Sequence, residues 1–364
     1  MNEMLMMVSA IEEALLGGHL QALATVVTVL GSAYRREGAK LLIGPDGTTL
    51  GLISGGCLEG EVAEVAREVM ASGRPCKRRY DMREDAVFGL GSGCGGVVEV
   101  LIEPLLDSEM WRCWLEALRT GRTTARAVIH AGENADVPLG TRLVALPGPT
   151  FCGDLEDAAL DAALREALVE LLTPGASTVT SRTIHGAHVL LEVTTRAPEL
   201  VIFGAGLDAV PLAELASRTG FAVQVVDPRT AFLTADAFPN ASRVLAHPSA
   251  FEERVSLDQG GYAVVMNHHF ERDQAALRFA IEHGAAYVGV LGPATRFRRM
   301  LAALAEAGFS PSSAQLERLH NPVGLDIGAE GPQEIAVSIL AEVLAVRRGA
   351  GGGMMREGRA AASV

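Results

Sequence analysis

The stretch Leu200-Val201-Ile202-Phe203-Gly204-Ala205-Gly206-Leu207-Asp208-Ala209 carries the strongest architectural signal in this chain. Four apolar residues, two of them β-branched, read as a buried parallel strand. Gly204, Gly206 and Ala209 then match the G-x-G-x-x-A pattern. The first glycine permits a tight turn, the second a close approach to a pyrophosphate, and the small third residue close helix–strand packing. A helix opening here points its N-terminus at a bound phosphate. Asp227 ends the next apolar run, 23 residues after Gly204, where a carboxylate can accept from ribose hydroxyls. Arg229 blurs the resulting preference for an unphosphorylated ribose. Asp208, in the first helical turn, suits the helix dipole but repels a pyrophosphate.

Outward from this point, short apolar runs at Ala222–Val226, Ala263–Asn267 and Tyr287–Leu291 alternate with helical stretches near 208–219, 272–283 and 294–307. That alternation predicts a Rossmann-like, doubly wound α/β domain over residues 196–348. His268 and His269 follow an apolar run at the edge where such domains bind ligands, so one of them is expected to face inward as a ligand, acid or base. Asp326 lies in a glycine-flanked loop before the helix begun by Pro332; it is a candidate site residue or a fixer of that loop. The tail from 349 to 364 lacks periodicity and is expected to be disordered.

Residues 1–195 read as an α+β domain containing a degenerate internal repeat. Gly38-Ala39-Lys40-Leu41-Leu42 with Pro45 resembles Gly140-Thr141-Arg142-Leu143-Val144 with Pro147, 102 positions later. After a deletion of 13, Val100-Leu101-Ile102-Glu103 resembles Val189-Leu190-Leu191-Glu192. The second copy lacks two glycine-rich, cysteine-bearing loops of the first, Ser54-Gly55-Gly56-Cys57-Leu58-Glu59-Gly60 and Gly89–Gly96 with Cys94. Copy one is therefore expected to carry chemistry and copy two to be scaffold. Successive glycines expose backbone N–H groups that bind anions. Cys57 precedes a predicted helix over 58–70, whose dipole favours thiolate, while Glu59 and Glu61 oppose it. A soft thiolate suits a soft metal or a sulfur-transfer step. Arg35, Arg36 and Lys40 gather the first basic residues of the chain in one loop, as a bound phosphate requires.

Composition narrows the function. The chain has 364 residues, 31 basic against 44 acidic side chains, and few aromatics. A net charge of −13 argues against nucleic-acid binding. The longest apolar stretch is far too short to span a bilayer. Five cysteines with no C-x-x-C argue against a disulfide scaffold or zinc ribbon, and free thiols suit the cytoplasm.

Together, Val29–Leu42, Ser54–Gly60, Cys94-Gly95-Gly96, Glu103-Pro104, the Gly204 fingerprint, Val265–His269 with Asp273, Gly289–Gly292 and Pro322–Ala329 resemble the xanthine dehydrogenase accessory factor family (XdhC/CoxI-like), over roughly residues 10–345. The resemblance implies an accessory protein rather than an enzyme: a chaperone that binds molybdenum cofactor and assists its sulfuration and insertion into a xanthine dehydrogenase-type molybdenum hydroxylase. It also implies a cysteine desulfurase as a second partner. By carry-over, Cys57 contacts molybdenum or sulfur, and the loops holding Arg35, Lys40, Ser54, Gly55 and Gly56 take the pterin phosphate. This chain departs from the family at Leu207, where His is frequent, and at Asn267, where Thr is common. Two other readings stay open from the residues alone: an NAD(P)-dependent oxidoreductase and a nucleotide-binding redox sensor. A homodimer is compatible with each.

Overall fold

A computed structural model describes residues 3–82, 96–132, 138–148, 150–173 and 179–354. Two compact units divide at Arg196/Ala197; Cys94 and the last ten residues of the tail lie outside the described residues.

The unit over 3–196 contains the repeat as structure. Copy one runs α1 (Glu3–Gly17), β1 (Ala22–Leu30), β2 (Lys40–Ile43), β3 (Thr49–Gly51), α2 (Glu59–Ser72), β4 (Cys76–Asp81) and β5 (Val97–Pro104). Copy two runs α3 (Glu109–Arg119), β6 (Thr124–Gly132), β7 (Arg142–Leu146), β8 (Thr150–Cys152), α4 (Ala158–Leu171), β9 (Val179–Ile184) and β10 (Ala187–Thr194). The antiparallel sheets have the same order, β3-β2-β1-β5-β4 and β8-β7-β6-β10-β9. Strand alternation sorts the side chains by face. In copy one, Ala24, Val26, Leu41 and Ile43 pack on Val62, Ala66 and Val69 of α2, whose spacing makes one helical face. In copy two, Ala125, Ala127 and Leu143 pack likewise on Leu164 and Leu168 of α4. The opposite faces meet each other: Val27 and Leu101 of copy one cluster with Val128 and Leu190 of copy two. Helices α1 and α3 pack over this layer with Ile11, Trp111 and Trp114.

Each inner face also carries charge. Lys40, Glu103, Arg126, Arg142 and Glu192 are all buried there. Lys40 Nζ donates to Glu192 at 2.8 Å, Arg126 to the other Glu192 oxygen at 2.6 Å, and Arg142 to Glu103. Trp114 and Trp111 lie under the Arg126 and Arg142 guanidinium groups, each 4.3 Å away. Burial pushes the Lys40 ammonium down despite Glu192. Burial pushes the Glu192 carboxyl up, but the Arg126 and Lys40 charges overcome it and hold the group at about 2.

The expectation of unpaired thiols fails for one pair. Cys113 on α3 and Cys152 on β8 form a disulfide, while Cys57 and Cys76 are free. The repeat explains the encounter: the matching positions of copy one, Ile11 and Leu50, pack in the same apolar cluster. Helix and edge strand thus bring together residues 39 apart in sequence.

The unit from 197 onward runs β11 (Glu199–Phe203), α5 (Ala209–Arg218), β12 (Ala222–Asp227), β13 (Ser242–Leu245), α6 (Phe251–Arg254), β14 (Tyr262–Val265), α7 (Phe270–Glu282), β15 (Tyr287–Val290), α8 (Ala294–Glu306), α9 (Ser313–Leu316), β16 (Leu319–His320) and α10 (Pro332–Arg348). Its parallel sheet, β13-β12-β11-β14-β15-β16, has Rossmann order, with the switch point between β11 and β14. Helices α7 and α8 cover one face through Leu277, Ala280 and Met300. Helices α5 and α10 cover the other through Leu212, Ala213, Ile339 and Val343.

Candidate functional site

In copy one, the chain leaves β3 at Gly51 and curls through Ile53–Leu58 into α2. Glu59, the first residue of α2, organises this curl. Its carboxylate accepts N–H bonds from Ile53 at 3.2 Å, Ser54 at 2.8 Å and Leu58 at 3.2 Å, and also the Ser54 hydroxyl proton. The Ser54 oxygen in turn accepts from the Gly56 and Leu58 amides at 3.2 and 3.1 Å. Burial pushes the Glu59 carboxyl up, but these donors win and hold it below its usual range. The Ser54 side chain is thus committed to the loop itself. It is buried, its hydroxyl is engaged, and it shapes the loop. Glu59, which in the sequence reads only as an unfavourable charge, is the loop's organiser.

The other side of the curl is open. Gly55 and Gly56 are exposed. Among the described residues, a Cβ on Gly56, whose φ is +104°, would meet nothing within 4 Å, and one on Gly55 would meet only the Tyr34 ring, at 3.8 Å. Cys57 follows, half-buried, two residues before the 14-residue α2, whose N-cap is Leu58.

The Tyr34 loop is pinned at several points. Glu37 accepts the Val29 amide at 3.0 Å, Gly38 N–H donates to Val26, Val26 N–H to Ala39, and Ala33 and Ala39 enter the α2-facing core. Arg36 is exposed and Arg35 half-buried. Lys40 does not belong to this cationic group. It begins β2 and points into the layer between the copies, where Glu192 takes its charge.

Copy two repeats the scaffold with different side chains in its loops. Asp161 accepts the Leu155 amide at 3.1 Å, as Glu59 accepts that of Ile53. At the positions of Arg36, Ser54, Gly55 and Cys57 stand Pro138, Glu156, Asp157 and Ala159. A cavity of about 500 Å³ there is lined by Asp154, Glu156, Asp157 and His185.

In the Rossmann unit, Gly204 has φ +117°, and a Cβ on it would lie 2.6 Å from the Met266 carbonyl oxygen. It is required by packing between the β11 and β14 loops. Among the described residues, a Cβ on Gly206 meets nothing within 4 Å, so this glycine faces open space. Asp227 is engaged within the fold. It is 0 % exposed, and its oxygens accept from the Ala205 amide, the Arg229 amide and the Arg229 guanidinium at 2.8–2.9 Å. It ties the glycine turn to the end of β12. Arg229 lies over the Phe232 ring at 4.1 Å.

Both histidines are exposed. His268, in a left-handed conformation at φ +56°, has Nε2 3.1 Å from Asp208 Oδ2, across the switch point. His269 is exposed at the start of α7. The inward residue is Asp273, which accepts from the Asn267 backbone and side-chain nitrogens and from Arg296 at 2.6 Å. Asp326 is exposed, in a loop held to α10 through Gly324 and Leu325. Among the described residues, no three His, Cys, Asp or Glu side chains are grouped to hold a metal.

Residues 200–343 match the XdhC Rossmann domain, and residues 15–81 match the XdhC and CoxI family. Over 338 residues the chain is 33 % identical to a probable xanthine dehydrogenase subunit of Bacillus subtilis, spanning 90 % of this chain and 93 % of that protein. The chain belongs to the XdhC and CoxI family. Another relative, the molybdenum cofactor insertion chaperone PaoD of Escherichia coli, is 27 % identical over 335 residues, covering 92 % of this chain and 86 % of PaoD. The crystal structure of a xanthine dehydrogenase from Bacillus halodurans superposes with a TM-score of 0.77, at 28 % identity and 96 % coverage of both chains. The N-terminal XdhC and CoxI match ends at Asp81, so it contains the Tyr34 and Cys57 loops and none of copy two.

Proposed function

We propose that this chain is a molybdenum cofactor chaperone that assists sulfuration of the cofactor and its insertion into a xanthine dehydrogenase-type molybdenum hydroxylase. One observation carries the reading: a half-buried thiol, Cys57, stands beside two exposed glycines on a loop made rigid by Glu59. The name of PaoD supports it. A chaperone must hold a labile group without trapping it, and a single soft donor beside open backbone suits that task. In this reading the Cys57 sulfur meets molybdenum or its sulfur, Gly55 and Gly56 let the cargo approach, and Arg35 and Arg36 take its phosphate. A cysteine desulfurase supplies the sulfur, and the exchange takes place in the cytoplasm. Copy two repels the same phosphate with Asp154, Glu156 and Asp157, which predicts one cargo molecule per chain.

The test is purification from cells that make the cofactor, followed by pterin fluorescence of oxidised acid extracts and molybdenum analysis. About one pterin per chain is expected, falling several-fold in Cys57→Ala. Wild-type protein that carries neither pterin nor molybdenum overturns the proposal. A second reading, an NAD(P)-dependent oxidoreductase or nucleotide-binding redox sensor, draws support from the open approach at Gly206. Binding of NAD(P)H with no pterin would favour it.

A further inference from the structure

Tyr34 is the most exposed aromatic side chain among the described residues, 66 % accessible. The chain has few aromatics, and most of the described ones are packed into cores, as Trp111, Trp114, Phe203 and Tyr287 are. A large ring left in water forgoes the gain of burial. Lone exposed rings are common enough to need no explanation, but this one has a particular setting. Its ring carbons lie 3.8 and 3.9 Å from where a Gly55 Cβ would stand, so the ring adjoins the side-chain-free wall of the Cys57 loop. Its own loop is fixed by the Glu37–Val29 and Gly38–Val26 bonds, so little ordering remains to be done on binding.

The repeat supplies an independent comparison. In the sequence, the positions matching Tyr34, Arg36 and Cys57 in copy two are Asp136, Pro138 and Ala159. The ring, the guanidinium and the thiol are thus lost together, whereas scaffold features such as the Glu59 and Asp161 carboxylates occur in both copies. A structural tyrosine would belong with the features that both copies share.

Resting on the chaperone function, we infer that Tyr34 is the stacking platform for the planar pterin ring of the cargo. Its face meets the heterocycle while Cys57, beyond Gly55 and Gly56, meets the metal end. Stacking of a heteroaromatic base on an aromatic side chain is tolerant of edge substituents, which suits a carrier that must release its cargo.

The full-length chain is titrated with 6-hydroxymethylpterin monophosphate, followed by pterin fluorescence, with thermal melting recorded for each variant. Tyr34→Ala should weaken binding about tenfold and Tyr34→Phe by less than about twofold, with both melting like wild type, because the side chain is exposed. Equal affinity of wild type and Tyr34→Ala overturns the role of Tyr34 and leaves the chaperone reading standing. A comparable loss in Tyr34→Phe also overturns it, since the hydroxyl rather than the ring face would then be the contact. Failure of wild type to bind the pterin also overturns the role of Tyr34, whereas the chaperone reading falls only if the protein purified from cofactor-making cells carries neither pterin nor molybdenum.

Discussion

Lys40 and Glu192 meet at 2.8 Å in a buried ion pair that joins the first repeat to the second, and Arg142 and Glu103 make the reciprocal pair. Lys40 and Arg142 occupy the same repeat position, as do Glu103 and Glu192. Each copy thus lends a cation to the other's last strand. Such reciprocity sets the register of two similar sheets that apolar contact alone would leave free to slide.

Glu192 serves two cations, Lys40 and Arg126. Glu192→Gln removes the ion-pair partner of both buried cations and should cost about 3–5 kcal/mol in urea unfolding. Lys40→Met should cost clearly less, because Glu192 keeps Arg126. Equal losses would show that the pairs act separately.

Acid should act on this unit in two stages. Burial, then the Lys77 and His188 charges, lower His130 from 6.5 to about 4. The unfolded chain therefore takes up that proton first, and stability should fall as pH drops from 6.5 towards 4. Glu192, held at about 2 against 4.5, contributes stability above pH 4.5 that is lost as pH falls through 2. Urea unfolding from pH 7 to 4 should lose much of its slope in His130→Gln.

Glu59→Ala removes the acceptor of three amides and one hydroxyl. A loss of about 1–3 kcal/mol is expected, with faster alkylation of Cys57 by iodoacetamide as the curl opens. An unchanged alkylation rate would show that the loop is held by something else.

The two fingerprint glycines should separate by stability. Gly204→Ala forces a Cβ to 2.6 Å from the Met266 oxygen at a positive φ and should cost about 1–3 kcal/mol or more. Gly206→Ala should leave the melting temperature nearly unchanged.

Reduction of Cys113–Cys152, which closes a loop of 39 residues, should lower stability by about 2–4 kcal/mol. Calorimetry with and without dithiothreitol measures it, and Cys152→Ser should abolish the difference.

Features that depend on neighbours along the chain are legible in the residues alone. The glycine turn after Leu200–Phe203, the strand–helix alternation beyond it and the 102-residue echo of Gly38–Leu42 all follow from local conformational preference and periodicity. Which polar groups remain available is set by packing in three dimensions. Lys40 has the look of a loop cation, but strand alternation turns it towards Glu192, a residue 152 positions away. Asp227 has the look of a ribose acceptor, but Arg229 and the Ala205 amide consume it. Glu59 engages Ser54, and Cys113 finds Cys152. A charge or hydroxyl is recognisable in isolation, yet whether it is free for a ligand depends on what folding brings beside it, because a buried polar group left without a partner costs more than most sites can sustain.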